Sequence, residues 1–196
     1  MTVSEEVLVL ASGSPYRRGL LARLGLPFQA WSPDVDERAR EGEAPRATAV
    51  RLARAKAQAG VARWPRSLII GSDQVADVDG RAVSKPGTLA NARRQLLELS
   101  GRTTLFHTAL CVAHAPSGRI QERVVTTEVA FRRLDADEID RYLAREPALD
   151  CAGSAKSEGL GISLLARLGG DDPTALVGLP LIALCEMLRA EGVAVP

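Results

Sequence analysis

Where the apolar run 7–10 gives way to SGSPYRR (residues 12–18), two small hydroxyls, a glycine and two arginines meet at one turn. Ser14 before Pro15 reads as a helix start, because a hydroxyl caps free N–H groups and proline tolerates the first helical position. Arg17 and Arg18 then fall in the first turn, where the helix dipole disfavours cations. A bound phosphate would resolve that mismatch. Free backbone N–H groups and Gly13 admit an anion, and guanidinium grips phosphate bidentately. The plainer alternative is that both arginines point into water at small cost. The segment is neither a Walker loop nor a GxGxxG turn.

Further acids and cations could join this anion site. Asp73 in GSDQ (71–74) follows a second apolar run, and an acid just after a buried strand of an α/β sheet sits where ligands bind. Asp also opens ordinary turns, so position alone leaves both readings open. Lys85 in SKPG, Lys156 in KSEG and Lys56 supply cations, while Glu37, Asp73 and Glu158 supply carboxylates. Loop lysines are usually only solvated. As a set, however, these residues match a polyphosphate with a divalent cation held between carboxylate and phosphate oxygens. Cys111, Cys151 and Cys185 form no CxxC or Cys/His spacing and read as reduced thiols. Cys151 precedes AGSAKSEG, but no plausible His partner lies nearby to make it a nucleophile. His107 and His114 fall in an alternating segment and read as sheet residues.

The elements that must position these groups alternate between strand and helix. Residues 7–10 read as a strand buried on both faces, and 15–24 as a helix with Leu20, Leu21 and Leu24 on one side. A polar loop spans 34–44, and a helix follows over 46–63 with a stripe of Val50, Ala53, Ala57 and Val61. Residues 67–71 form the next buried strand, running out into the polar SDQ. Asp79-Gly80 marks a hairpin. A helix is expected over 89–99, then a long antiparallel hairpin of 103–113 and 120–131 turning at PSG. Asp135 with Glu138 resembles a capping box for a helix through Leu143, and Pro180 opens a last helix to about Ala190. Without repeats, low-complexity tracts or linkers, residues 1–196 read as one α/β unit with a mixed sheet.

Composition sets the outer limits. The 196 residues suffice for one sizeable core or two small lobes around a cleft. A formal charge of +1 argues against coating nucleic acid or a membrane by bulk electrostatics, so any basic site must be local. The acidic start MTVSEEVLVLAS has too short an apolar run for export or membrane spanning. A cytoplasmic protein is the expectation.

LASGSPYRRGLL, PDVDE, RLARAKA, IIGSDQV, SKPGT, CAGSAKSEGLGI and DDPTALVGLPL together resemble the Maf family of nucleotide pyrophosphatases, over nearly the whole chain from Val7 to Gly192. GSDQ and AKSEGLGI look like its 7-methyl-GTP pyrophosphatase branch, whereas the dTTP/UTP branch typically reads Asp-Thr at the first segment. The resemblance implies an elongated, twisted mixed sheet flanked by helices, with two lobes around a central cleft, as in inosine triphosphatases, and a homodimer. It implies hydrolysis of a nucleoside triphosphate to monophosphate and pyrophosphate with Mg²⁺, Mn²⁺ or Co²⁺. Asp73 would be the proton acceptor, and Tyr16, Gln74 and Glu158 would set base preference. Ser12, Ser14, Arg17, Arg18, Lys56, Lys85 and Lys156 would bind the triphosphate, with Glu37 and Asp73 on the metal. Tyr16 departs from the Trp often found there but keeps an aromatic face. The alternatives are the same chemistry on dTTP, UTP or a deaminated purine, a non-enzymatic cell-division or nucleic-acid-binding regulator, or a phosphate-binding module.

Overall fold

The computed structural model describes residues 7–195. Its first strand, β1 (Leu8–Ala11), is buried along its full length and pairs in parallel with β2 (Phe28–Trp31) on one side and β3 (Leu68–Val78) on the other. Burial on both faces explains the uninterrupted apolar run. Leu8, Leu10, Leu68 and Ile70 pack on one side with α1 (Pro15–Ala22) and α5 (Leu181–Ala190), while Val9, Ala11 and Ile69 pack on the other against α2 (Pro45–Arg63). Beyond β3 the sheet turns antiparallel, through β5 (Thr103–His114), β6 (Arg119–Phe131) and β7 (Leu165–Gly169). The short β4 (Arg81–Val83) folds back on the end of β3 through Asp79 and Gly80, both at positive φ as the hairpin signal requires. The described residues therefore form an α/β structure with a seven-stranded mixed sheet and five flanking α-helices.

Strands β3, β5 and β6 are long enough to serve two halves of the molecule. At the far end, Phe106, Val129 and Phe131 build a separate core with α3 (Leu89–Leu99) and α4 (Ala136–Arg145), centred on Leu96 and Ile139. This is the expected pair of lobes, and the cleft lies between them. No helix among the described residues is long and apolar enough to cross a membrane.

Helix α2 lies unusually close to the sheet, which matters for the site. Its inward face keeps Ala53 and Ala57 of the expected stripe, with Ala49 and Gly60 in place of Val50 and Val61, which are only half-buried. A Cβ on Gly71 would collide with the Ala53 carbonyl oxygen and lie 2.7 Å from the Ala57 nitrogen. Gly71→Ala is accordingly expected to destabilise by at least about 1–3 kcal/mol, because backbone cannot yield as a side chain can. Urea unfolding should show a lower midpoint at unchanged slope, and an unchanged midpoint would refute this close packing.

The structure differs from the sequence expectation in three places. Helix α1 stops at Ala22, short of Leu24, and Gly25 at positive φ turns the chain away. The edge strands β2 and β7 were not expected. Each is short and pairs on one side only, so neither needs the apolar run that marks a buried strand. Finally, β3 does not end at Gly71. Pairing with β5 carries it through Ser72, Asp73 and Gln74 as far as Asp77, so GSDQ is strand interior rather than a loop.

Candidate active site

The extension of β3 creates the crevice. Strand β1 ends with Ala11 opposite Gly71, and β4 joins only from Ala76 onward. Along residues 72–75 the β1-side edge of β3 therefore has no strand beside it. This gap, at the carboxyl ends of the parallel strands, is where α/β sheets commonly bind ligands. A cleft of about 720 Å³ opens there. It is lined by Ser12, Ser14, Tyr16, Arg17, Glu37, Lys56, Asp73, Gln74, Lys85, Lys156 and Glu158. Arg18 is the exception among the expected residues: one position further around α1, it is solvent-exposed and outside the lining.

Asp73 and Lys56 form the buried centre. The close approach of α2 to β3 places Lys56 Nζ 2.6 Å from Asp73 Oδ1, with both residues less than a tenth exposed. The same ammonium lies 2.6 Å from Glu37 Oε1, which reaches in from the loop after β2. Desolvation opposes ionisation of Glu37, but Lys56, then Lys85 and Arg17, together hold its carboxyl below the usual range. Two carboxylates thus converge on one cationic point.

The carboxylate oxygens of Glu37 and Asp73 that Lys56 does not occupy could take a divalent metal. Hard oxygen donors from two acids, completed by water and phosphate oxygens, are the usual protein contribution to Mg²⁺–nucleotide sites. Among the described residues no cluster of three or more His, Cys, Asp or Glu could form an all-protein cage. Glu37 and Asp73 are the residues that fit such an ion. The Cys151 thiol beside the cleft is pushed up to about 12 by burial, so it is not a thiolate nucleophile at neutral pH.

Arg17 answers the mismatch at the start of α1. Ser14 caps the helix, accepting from the Arg17 N–H at 3.4 Å, and the Arg17 side chain folds back into the cleft. Its Nε donates to the Gly178 carbonyl at 2.8 Å and its Nη1 to Ser12 Oγ at 3.4 Å. The Gly178 N–H closes the 3-10 turn Ala175–Val177 on the Ala175 carbonyl. Ser72 Oγ of β3 lies 3.0 Å from the Gly178 carbonyl, its one proton shared with the Ala109 carbonyl at 2.9 Å. Desolvation lowers the guanidinium's pKa while Asp73 and Glu37 raise it, and arginine stays charged regardless.

The residues expected to select the base are already engaged. The two N–H groups of Gln74 Nε2 are shared among Thr108 Oγ1 and the carbonyls of Ala175 and Leu176, so its amide nitrogen braces the turn that holds Gly178. Only its carbonyl end is left to face a ligand. The Tyr16 hydroxyl donates to Asp150 Oδ2 at 2.9 Å, and Lys156 Nζ reaches Asp150 Oδ1 at 3.1 Å. Lys156 Nζ also lies 5.6 Å from the Tyr16 ring centroid. Lys156 pulls the phenol's pKa down, but desolvation and Asp150 outweigh it and leave it raised. Glu158 is exposed at the rim, near its neighbour Ser157.

Ser72, Thr108, Asp150 and Gly178 were missed from the sequence, as were Asp172 and Thr174. Asp172 is buried and accepts from Thr174 N and Ile182 N. Thr174 Oγ1 accepts from the Leu181 N–H and shares its one proton between Asp172 Oδ1 at 2.6 Å and the Leu179 carbonyl at 2.9 Å. This knot fixes the loop carrying Gly178 to the start of α5. The DDPT stretch carried the only hint, since Asp and Thr two residues apart favour local backbone capping.

Fold and cleft together define an α/β protein whose crevice, with clustered cations and paired acids, suits a metal-bound polyanion. The chain belongs to the Maf family: the Maf-like protein model matches residues 7–191. It is 57% identical to a 7-methyl-GTP pyrophosphatase of Aromatoleum aromaticum, covering 96% of this chain and 97% of that one. A protein of the same name from Albidiferax ferrireducens is 52% identical over 96% of this chain and 94% of its own. Another, from Xanthomonas campestris, is 53% identical over 96% and 98% respectively.

Proposed function

We propose that the protein is a nucleotide pyrophosphatase that hydrolyses 7-methyl-GTP to 7-methyl-GMP and pyrophosphate. The observation that carries this reading is the Lys56–Asp73–Glu37 cluster beside Arg17 in the β3 gap, together with the names of its near-full-length relatives. Water attacks the α-phosphorus, a P–O bond to water forms, and the bond to the bridging oxygen breaks to release pyrophosphate. Charge grows on phosphate oxygens throughout, so the protein's contribution is placement and compensating charge.

Asp73 takes the proton of the attacking water. Its Oδ1 is tied to Lys56, which fixes the carboxylate's orientation and leaves Oδ2 as the receiving atom. Arg17, Lys85 and the Ser12–Ser14 turn bind the triphosphate, and Lys156 joins them once released from Asp150. A divalent cation on Glu37 and Asp73 would neutralise phosphate charge and make bound water more acidic. The Tyr16 ring stacks on the base, and Glu158 accepts from the guanine N1–H and exocyclic amine, an edge that adenine lacks.

A panel of nucleoside triphosphates, including dTTP and UTP, scored for pyrophosphate release with Mg²⁺, Mn²⁺ or Co²⁺, tests the assignment. The highest kcat/KM is expected for 7-methyl-GTP. Glu158→Gln should cut the preference over adenine and pyrimidine triphosphates about tenfold, the scale of one charged hydrogen bond. Equal rates across the panel would reject the substrate, and no metal-dependent release from any triphosphate would reject the enzyme.

A further inference from the structure

The cleft holds a second polar cluster, distinct in composition from the one around Asp73. The Asp150 carboxylate binds the Tyr16 hydroxyl with one oxygen and the Lys156 ammonium with the other, while that ammonium sits over the Tyr16 ring. Tyr16 belongs to α1, whereas Asp150 and Lys156 flank the 3-10 turn Ala152–Ser154, which packs with the opposite core. The contact therefore spans the cleft. The Asp150 side chain is 56% exposed, so neither core packing nor burial requires a carboxylate there.

We propose that Asp150 is a specificity-determining residue, whose carboxylate against Tyr16 makes this aromatic platform select a positively charged nucleobase over a neutral one. The proposal rests on the 7-methyl-GTP reading above and sharpens it. Stacking alone discriminates weakly, since every purine offers a π-face. A cation over the ring adds an electrostatic attraction, and an adjacent full negative charge reinforces it.

In the structure Lys156 fills the cation position. Its side chain is flexible, and incoming phosphates offer its ammonium a stronger partner. Once Lys156 moves to them, Asp150 keeps only the neutral Tyr16 hydroxyl. A 7-methylated guanine, positively charged on its imidazole ring, restores the lost charge pairing. Unmethylated guanine leaves Asp150 without a cation and is disfavoured. Glu158 reads an edge common to both bases, so whatever attraction its charge adds for the methylated base is untouched by a change at Asp150. The two acids thus have separate roles. Glu158 distinguishes guanine from other bases, and Asp150 distinguishes methylated from unmethylated guanine.

The test compares kcat/KM for 7-methyl-GTP and GTP in wild type, Asp150→Asn and Asp150→Glu at low and raised salt. Asp150→Asn also frees Lys156, but that change acts on both substrates and cancels in their ratio. The 7-methyl-GTP/GTP ratio is expected to fall about two- to tenfold in Asp150→Asn, chiefly through a higher KM for 7-methyl-GTP, and to survive in Asp150→Glu. Salt should erode the wild-type ratio more than that of Asp150→Asn, since the variant has one fewer charge to screen. A wild-type preference for 7-methyl-GTP that persists undiminished in Asp150→Asn would overturn the role of Asp150 alone. Wild-type protein without any such preference would overturn the substrate reading, and this proposal with it.

Discussion

Asp73→Asn is expected to yield a folded protein that still binds nucleotide but turns over about 10²–10⁴-fold more slowly, the usual contribution of a positioned general base. The substitution is nearly isosteric, which matters at a residue only 7% exposed. Lys56 is the group at risk, because a buried ammonium stripped of its partners is costly. It keeps Glu37 Oε1 at 2.6 Å, however, and the asparagine carbonyl can still accept where Oδ1 does now. Stability should therefore change little while proton acceptance is lost. Pyrophosphate release, nucleotide titration calorimetry and a thermal melt separate the three quantities. Near-wild-type turnover would remove Asp73 from the chemistry. Asp73→Ala is the less informative variant, since it leaves a void and mixes packing loss with lost chemistry.

Local signals carried much of the fold. Helix α3 has its expected bounds because Thr88 caps it through the Asn91 N–H, and α4 begins at Asp135, which caps the Glu138 N–H at 2.7 Å. The capping box is only half realised: the Glu138 carboxylate turns to Arg132 instead of returning to the cap. What stayed hidden depends on distant partners. The polar SDQ looks like a strand exit, and only β5, more than thirty residues later, keeps it in the sheet. The gap in strand pairing that forms the crevice is likewise a property of three strands together. Every expected site residue but Arg18 lines the cleft, and phosphate and metal chemistry draws on few side chain types, which kept the candidates few. Their present partners were not legible: Tyr16 meets Asp150 134 positions away, and Arg17 meets Gly178 161 positions away. Arg18 shows the limit of motif reading, since adjacent helical residues point about 100° apart and only one of the pair can face the cleft.

That division gives Arg17 a sharp test. Arg17→Ala is expected to lower kcat/KM by about 10²–10³, the scale seen when one preorganised donor to developing charge is removed. Its cost in stability should be nearer 1 kcal/mol, the net worth of an ordinary hydrogen bond. The reason lies in what each partner retains. The Gly178 carbonyl still has Ser72 Oγ at 3.0 Å, whose proton it shares with the Ala109 carbonyl, and Ser12 Oγ still accepts from the Ser14 N–H at 3.2 Å. The part-buried guanidinium, by contrast, has no substitute in the cleft. Nε and Nη1 hold Gly178 and Ser12, which leaves further N–H groups for the proposed triphosphate, and no other side chain offers five donors in one rigid plane. Arg17→Lys should accordingly recover only part of the loss, although it restores the charge. An ammonium can serve Gly178 or the phosphate, but not both in fixed geometry. Paired measurement of kcat/KM and the urea midpoint decides the matter. Should Arg17→Ala lose several kcal/mol of stability, the residue is chiefly a strut between α1 and the Gly178 turn. Full activity in Arg17→Lys would show that charge alone suffices and that the fork has no catalytic part.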